Sequence, residues 1–402
     1  MSNESATQTV TLADADLKPP ARGGYQETPE KRIDDERANA KSWGWLSIFP
    51  LAIFEFMSGL PVFKQPLVRL SGSVRMCVNA CVLTGSCLLA AVLTAGGMAG
   101  VAIVPALIVV RAARWAQLVT VHIAAHAKPR ERILRWAGHI LSALLLIELF
   151  EHGKRGYAPG HLDDHHSPLK LSTPKDPTRH YLTKYMDIRP GAPVRENGWR
   201  LACNFVNPWT HWRILFDRIV ANLSGSTFTI VATVFQFGGW GALTAAGWGE
   251  SLLIAWILPI TLGFQLAQMI RLPIEHHWRP VNEEAWEPRA LRRALTPVNH
   301  LVEARLPGNA SVTTRATHYL RQVLNLVVRA IAFPRDSAWG HAAHHERAFD
   351  VGDGERAAYD FRRRLIAKGD PLNPVNWGYC SALLGFLRSV QAARLDRQEG
   401  PL

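Results

Sequence analysis

Two long stretches of this 402-residue chain are almost free of charged side chains. Residues 76–110 contain no Asp, Glu, Lys, Arg or His, and Glu250 is the only charged residue between positions 219 and 270. A soluble domain rarely continues this far without a charged surface position. These absences exclude an ordinary soluble protein and predict an integral membrane protein.

Cysteine is scarce and poorly placed for metal or redox chemistry. The chain has five cysteines, none in a C-x-x-C pair, and three of them lie in the first apolar stretch. A disulfide framework, a thiolate zinc site and an iron–sulfur cluster are therefore not predicted, which suits a reducing compartment. The G-x-G-x-x-G fingerprint of nucleotide cofactors is also absent, so a reductant must come from a separate protein.

Each apolar stretch is long enough for two membrane-crossing helices. A helix needs about 20 residues, at about 1.5 Å each, to cross the hydrocarbon. Small-residue turns rich in glycine divide the stretches at residues 94–100 and 246–250. The predicted spans lie near residues 75–95, 98–120, 222–245 and 251–270.

Cations flank the outer ends of these spans and are absent from the two turns between them. The flanking cations include Arg75, Arg111, Arg218 and Arg271. Because cytoplasmic loops are enriched in Lys and Arg, both turns are predicted to be external and both termini cytoplasmic. The predicted fold is all-α, a polytopic membrane protein with four transmembrane helices in two hairpins under a cytoplasmic helical cap. A bacterial inner membrane is favoured over the endoplasmic reticulum.

The rest of the chain is predicted as three segments. Residues 1–44 form a polar tail, residues 45–350 the membrane domain, and residues 351–402 a cytoplasmic extension. Within the membrane domain, residues 45–61 are interpreted as an interfacial or re-entrant segment. Residues 133–150 are interpreted as an amphipathic helix on the membrane surface, with a fifth span as the alternative.

The chain is strongly basic, with 45 Lys and Arg against 33 Asp and Glu and a formal net charge of +12. Every Lys and Arg lies outside the two apolar stretches. The excess charge is therefore expected to face anionic lipid headgroups or acidic partners, and not nucleic acid.

Histidine is abundant, and ten of the 16 histidines lie in short motifs beyond the ends of predicted spans. The motifs are H-x-x-x-H at His122 and His126, H-x-x-x-H-H at His161, His165 and His166, the pair His276 and His277, and H-x-x-H-H at His341, His344 and His345. Residues i and i+4 project from one face of a helix, as two ligands of one metal must. The motifs together, all on one predicted side of the membrane, indicate a shared metal centre.

The number and type of these ligands favour an oxygen-activating metal site. Neutral imidazole suits iron, zinc, copper or nickel, and a single tetrahedral zinc needs only four ligands. Eight or nine histidines without thiolate suit two metals with open positions. At the cytoplasmic ends of apolar helices, a lipid-derived chain could rise from the bilayer and reach such a centre.

The order of the motifs, interleaved with two helical hairpins, resembles the integral-membrane fatty acid desaturase and hydroxylase superfamily. Three shorter segments agree: D-P at 176–177, R-x-x-x-E-H at 271–276 and T-R-A-T at 314–317. The resemblance covers about residues 45–350. Two features depart from it. The second motif has three intervening residues where many desaturases have two, and Trp-Gly at 339–340 stands where an asparagine usually precedes the last motif.

The resemblance implies a non-haem di-iron centre that uses O2 and two electrons to remove or replace hydrogen on an unactivated C–H bond. The expected activity is that of a fatty acid desaturase, and a hydroxylase or monooxygenase of a fatty acyl, alkane or other lipid chain is the alternative. Two iron ions would be held by His122, His126, His161, His165, His166, His276, His341, His344 and His345. The expected partners are the bilayer, a lipid acyl substrate and an electron donor such as a ferredoxin or a cytochrome b5-type protein.

The ninth ligand has three candidates. His276 and His277 both follow the fourth span, and consecutive helical residues point about 100° apart, so at most one should face the metals. The E-H order of the resemblance favours His276, while His300 is the outside candidate. Carboxylates often orient ligating imidazoles through the other ring nitrogen, and the candidates for this role are Asp163, Asp164, Glu275 and Glu346.

Two other membrane-protein classes conflict with where the histidines lie. A histidine-rich metal transporter and a membrane b-type cytochrome both need histidines inside the spans, and the four predicted spans contain none. The histidines expected to have surface or hydrogen-bonding roles are His139, His152, His180, His211, His300 and His318. The tryptophans expected in an aromatic belt, or lining an acyl tunnel, are Trp209, Trp212, Trp278 and Trp339.

Overall fold

A computed structural model of the protein describes residues 72–121, 132–146, 160–167, 169–280, 286–301, 303, 306, 309–333, 345, 368 and 374–393. The described chain is mostly helical. Its α-helices are α1 Gly72–Ala95, α2 Ala99–Trp115, α3 Arg132–Leu144, α4 Pro177–Met186, α5 Val194–Val206, α6 Pro208–Leu223, α7 Thr227–Leu243, α8 Gly249–Leu252, α9 Phe264–Glu275, α10 Pro288–Leu295, α11 Val312–Ala332 and α12 Tyr379–Ala392. Its π-helical turns are Ala116–Val121, Gly160–His165, Thr244–Trp248, Leu253–Ile257 and Pro259–Gly263. Strands β1 Val298–His300 and β2 Val375–Trp377 pair in parallel.

Helices α1 and α2 are joined by a tight turn that requires glycine. Gly97 has a φ of +75°, a left-handed conformation that residues with a side chain rarely adopt. The backbone N–H of Met98 donates to the Leu93 carbonyl at 2.8 Å, which closes the end of α1. Leu83 of α1 and Val109 of α2 then share one buried cluster.

The polarity of α1 is the reverse of that of a helix in a soluble protein. Leu88, Leu89 and Val92 are 61%, 52% and 65% exposed, whereas Asn79 is 2% exposed. Residues Met76–Ala95 are long and apolar enough to cross a membrane. An outward apolar surface is favourable only where the surroundings are also apolar.

The second stretch long and apolar enough to cross a membrane is Thr227–Glu275, which has 49 residues. A straight helix of this length would be about 73 Å long, more than twice the hydrocarbon thickness of about 30 Å. The stretch breaks at Gly247, whose φ is +85°. It therefore consists of two legs, α7 and residues 249–275.

Helical segments are present at all four predicted spans, and one of them begins later than predicted. The hydroxyl of Ser226 accepts from the Thr229 N–H at 3.2 Å, so α7 begins at Thr227 and not near the predicted residue 222. The predicted spans near 75–95, 98–120 and 251–270 coincide with α1, with α2 and its π-helical continuation, and with the second leg.

The predicted amphipathic helix at 133–150 is present as α3, which ends at Leu144. Ile133, Trp136 and Ile140 lie on its exposed side. Within the described ranges the chain is mostly helical, as expected, with the short β1–β2 pair as an exception. Residues 1–44 and 45–61, to which the sequence analysis assigned a polar tail and an interfacial segment, lie outside the described residues.

Residues near the C-terminus pack into the body that carries the candidate site. Strand β2 pairs with β1 so that Asn376 lies opposite Asn299. Helix α12 buries Phe386 and Val390 in a cluster with Trp278. Residues 351–402 were expected to form a cytoplasmic extension. In the structure, residues 374–393 of this segment contribute to the core.

We expect Gly263→Ala to destabilise the protein because the second leg touches α2 at this point. A methyl group on Gly263 would lie 2.5 Å from Cγ2 of Val110, a β-branched residue with little rotamer freedom. Overpacking of this kind costs about 1–3 kcal/mol, so the midpoint of thermal unfolding in detergent should fall.

Gly241→Ala in α7 is the matched control for this variant. A methyl group on Gly241 meets no described atom within 4 Å. Alanine is also the better helix former, so the midpoint should stay unchanged or rise. Equal midpoints for the two variants would contradict the close contact at Gly263.

Candidate metal centre

Three buried histidines from distant parts of the sequence meet beside the end of α9. His165 ends the π-helical turn Gly160–His165, His276 directly follows α9, and His345 belongs to the last histidine motif. One ring nitrogen of each lies within 4.8 Å of the other two. The residues are only 4%, 3% and 3% exposed. Imidazoles that converge in a site closed to solvent can hold a metal ion.

The separation of His165 and His276 fits two ligands of one ion. Their Nε2 atoms are 3.1 Å apart, and their ring planes differ by 84°. Two nitrogens each about 2.0–2.1 Å from a metal, at an angle of about 90–109°, lie roughly 2.9–3.4 Å from each other. This pair therefore needs little movement to bind a shared cation.

A buried carboxylate orients the ring of His165. Oδ1 of Asp176 lies 3.0 Å from Nδ1 of His165, and the Asp176 side chain is 1% exposed. Burial alone would raise the pKa of Asp176, but the attraction of His165 and their hydrogen bond hold this pKa below its usual value. With Asp176 ionised, Nδ1–H of His165 is the donor, and the Nε2 lone pair points toward His276.

The loop between the second histidine motif and α4 is built around the same carboxylate. Oδ2 of Asp176 accepts from the Ser172 N–H at 2.7 Å, and Oδ1 accepts from the Thr178 N–H at 2.9 Å as the N-cap of α4. The Ser172 hydroxyl donates to the His277 carbonyl at 2.8 Å. One side chain thus ties the second motif to α4 and, through Ser172, to the segment after α9.

The end of α9 at Glu275 separates His276 from His277. His276 has extended backbone angles, φ −136° and ψ 140°, and successive side chains of an extended chain point to opposite sides. His277 therefore turns away from the centre. A Cβ added to Gly385 would lie 3.3 Å from both Nε2 of His277 and Oδ1 of Asn376, so His277 faces α12.

Burial keeps both of these histidines neutral. Burial lowers the pKa of His276 well below its ordinary value. Burial lowers the pKa of His277 to about 4. Because a metal binds the neutral imidazole, His276 can bind a metal at neutral pH without first losing a proton.

The carboxylates that the sequence analysis proposed as orienting groups have other surroundings. Asp163 is exposed, Asp164 forms an ion pair with Lys170 at 2.7 Å, and buried Glu275 pairs with Arg271. Glu346 lies outside the described residues.

Asp176 orients His165, but from the sequence it was recognised only as part of the D-P pair. Its position directly before a proline, where an aspartate commonly caps a helix, could have identified it. It lies 11 residues after His165, which is close enough for the chain to fold back on the histidine motif.

The described side chains include four of the nine predicted ligands, and all four are in one cluster. His166 stacks on His345, with ring centroids 4.7 Å apart and planes inclined by 24°. His161 belongs to the same π-helical turn as His165. The remaining predicted ligands, His122, His126, His341 and His344, lie outside the described residues.

The outside candidate for the ninth ligand, His300, has a different neighbour. It lies in β1 and stacks on Trp377 of β2, with ring centroids 4.5 Å apart. Nε2 of His211, expected to be a hydrogen-bonded histidine, lies 2.9 Å from the Phe205 carbonyl.

The tryptophans assigned to an aromatic belt divide into two groups. Trp278 is 2% exposed and packs under the Arg179 guanidinium, 4.7 Å from the ring centroid. It is a core residue, because the chain turns inward after His276. Trp209 and Trp212 are exposed, and Trp339 lies outside the described residues.

No protein-family model, no curated protein and no solved structure matches this chain.

We expect Asp176→Asn to weaken metal binding about 10–100-fold, the usual effect of losing a carboxylate that orients a ligating histidine. Asparagine is also a good N-cap, so α4 should still form. The measurement is a titration of Fe²⁺ into metal-free protein in detergent, with bound metal quantified by mass spectrometry.

Asp164→Asn is the control for this substitution. It removes only the ion pair with Lys170 at the rim of the loop, and exposed pairs of this kind contribute about 0–1 kcal/mol. Its Fe²⁺ affinity should equal that of the unmodified protein. The same affinity in the Asp176→Asn protein would show that Asp176 does not orient a ligand.

We also expect His276→Ala to lose at least one metal ion per chain, whereas His277→Ala and His300→Ala retain full metal content. His276 and His277 are adjacent and both buried, so the two alanine substitutions remove the same side-chain volume from the interior. Metal content per chain, measured beside the thermal unfolding midpoint, separates a lost ligand from a lost fold. Full metal content in His276→Ala would remove this residue from the centre.

Proposed function

We propose that this protein is a membrane-embedded, O2-dependent di-iron oxidoreductase that acts on a lipid acyl chain, most specifically a fatty acid desaturase. The observation that carries the proposal is the buried convergence of His165, His276 and His345. His276 is the first residue after Thr227–Glu275, a stretch that is long and apolar enough to cross a membrane.

In the proposed arrangement, four helices cross the membrane as two hairpins and the histidine motifs lie on the cytoplasmic side. The left-handed turns at Gly97 and Gly247 support this arrangement, because both lie in segments without Lys or Arg. Arg111 and Arg271 mark the opposite ends of the helices. By the positive-inside rule, the turns face outward and both termini lie in the cytoplasm.

The residues present fit a metal with nitrogen ligands. The described cluster supplies buried imidazoles, and the sequence supplies five further histidines in motifs of metal-ligand spacing. His165, His276, His345 and stacked His166 would hold the metals together with His122, His126, His161, His341 and His344. Bound iron would supply the activation of O2 needed to attack an unactivated C–H bond.

The chain's own residues would orient the ligands and exclude water. Asp176 keeps the proton of His165 on Nδ1, so Nε2 stays available to a metal. Burial of the three histidines keeps solvent from a site where reactive species would otherwise be quenched. The position at the end of an apolar leg would let an acyl chain reach the centre from the bilayer.

The reductant in this proposal is a separate acidic electron-transfer protein, such as a ferredoxin. The chain has a formal net charge of +12 and no cysteine pair for an iron–sulfur cluster. Opposite charge accelerates encounter between partners. The basic segments lie outside the apolar stretches, on the side assigned to the cytoplasm.

The position of the cluster favours an enzyme over a histidine-rich transporter. Transport requires polar ligands along the path through the membrane. Neither Met76–Ala95 nor Thr227–Glu275 contains a histidine, and His276 of the cluster lies just beyond the end of the second stretch.

Lipid profiling of a bacterial host that expresses the protein with a ferredoxin and its reductase tests the proposal. A new acyl double bond is expected, and acyl chains that gain an oxygen atom would indicate the hydroxylase alternative instead. His276→Ala should abolish the product and His277→Ala should retain it. An unchanged lipid profile from protein that carries its full iron content would contradict both activities.

A further inference from the structure

Helix α11, Val312–Ala332, buries polar side chains and exposes apolar ones. Gln322 and Asn325 are 2% and 1% exposed, whereas Leu320 and Val323 are 71% and 52% exposed. A helix on the surface of a soluble protein has the opposite polarity. Interactions on both the inward polar face and the outward apolar face must therefore stabilise this orientation of the helix.

Specific hydrogen bonds hold the polar face inward. Oδ1 of Asn325 accepts from the Tyr379 N–H at 2.7 Å, and its Nδ2 donates to Oε1 of Glu303 at 3.2 Å. At the other end, Nη1 of Arg111 donates to the carbonyls of Arg329 and Ala330 at 2.9 and 2.7 Å. Rotation of α11 to bury its apolar face would break all of these bonds.

The outward face is a continuous apolar stripe. Its residues recur every three or four positions, so they share one side of the helix. They are Val312, Ala316, Tyr319, Leu320, Val323, Val327 and Ala330, and all are exposed. A contiguous apolar surface of this extent marks an interaction site.

Charge and position indicate a lipid surface as the partner. Helix α11 contains no Asp or Glu, and exposed Arg315 lies at the margin of the apolar stripe. A basic amphipathic helix of this kind binds anionic lipid headgroups with its cations and acyl chains with its apolar face. The inward face of the helix shares a buried cluster with Val110 of α2 and Ala267 of α9, so α11 packs beside two of the apolar helices.

We propose that α11 lies in the plane of the cytoplasmic membrane surface, with its apolar stripe among acyl chains and Arg315 at the stripe's margin on anionic headgroups. Its 21 residues span about 32 Å, which would suffice to cross the bilayer. A crossing orientation is disfavoured because Arg321 would then lie near the hydrocarbon centre. This proposal rests on the membrane placement proposed above and is independent of the metal chemistry.

Nitroxide accessibility in the full-length protein tests the orientation. Single cysteines at Val312, Val323 and Ala330, with the five native cysteines replaced by serine, place spin labels along one side of α11. Thr317 on the polar margin and Val92 on α1 are the controls. The protein is reconstituted in vesicles of phosphatidylcholine with phosphatidylglycerol, and collision with O2 is compared with collision with a water-soluble nickel complex.

The expected ratio of O2 collisions to nickel collisions is severalfold higher at the three stripe positions than at Thr317. The three stripe positions should also lie at the same depth in the bilayer. In vesicles of phosphatidylcholine alone, or after Arg315→Gln, this ratio should fall.

Four outcomes would overturn the proposal. Nickel access at Val323 with O2 access at Val92 would place α11 in water while leaving the membrane placement intact. A graded depth from Val312 to Ala330 would indicate a crossing helix. Low access to both reagents would indicate cover by protein, such as a second copy of this chain. Nickel access at Val92 as well would refute the membrane placement itself.

Discussion

The buried hydrogen bond between Asp176 and His165 is the contact on which the candidate centre depends. A carboxylate removed from water is stable only when its oxygens are satisfied, and here the partners are His165 Nδ1–H and the N–H groups of Ser172 and Thr178. These bonds determine the tautomer of His165, the path of the loop and the first turn of α4. The Ser172 hydroxyl extends the same network to the segment that carries His276.

Two arginines join separate helices through backbone carbonyls. Arg111 of α2 donates to carbonyls in the last turn of α11, and Arg218 of α6 donates to the Leu146 and Ile260 carbonyls at 3.2 Å. The carbonyls in the last turn of α11 have no intrahelical partner and attract a cation such as Arg111. Burial lowers the pKa of Arg218 to about 10, so it stays charged at neutral pH.

The distribution of polarity connects the two proposals. Apolar side chains face outward on α1, α3 and α11, while the histidine cluster and its carboxylate are buried where an apolar leg ends. In the proposed function, this combination would suit chemistry on a lipid substrate, because the substrate would remain in the apolar phase while the polar groups that act on it are shielded from water.

The apolar stretches, the glycine turns at Gly97 and Gly247, and the histidine motifs depend on neighbouring residues and are visible in the chain before it folds. Charge depletion and side-chain periodicity are local properties, so they can be read without the fold. The orientation of His165 by Asp176, the place of α12 in the core and the outward face of α11 emerge only from the folded structure. These outcomes depend on contacts between residues far apart in the chain, such as His165 with His276 across 111 positions and Arg111 with Arg329 across 218. The E-H order favoured His276 over His277, and helical spacing allowed only one of them to face the metals. In the structure, the two are separated because α9 ends at Glu275 and the extended backbone beyond it alternates its side chains.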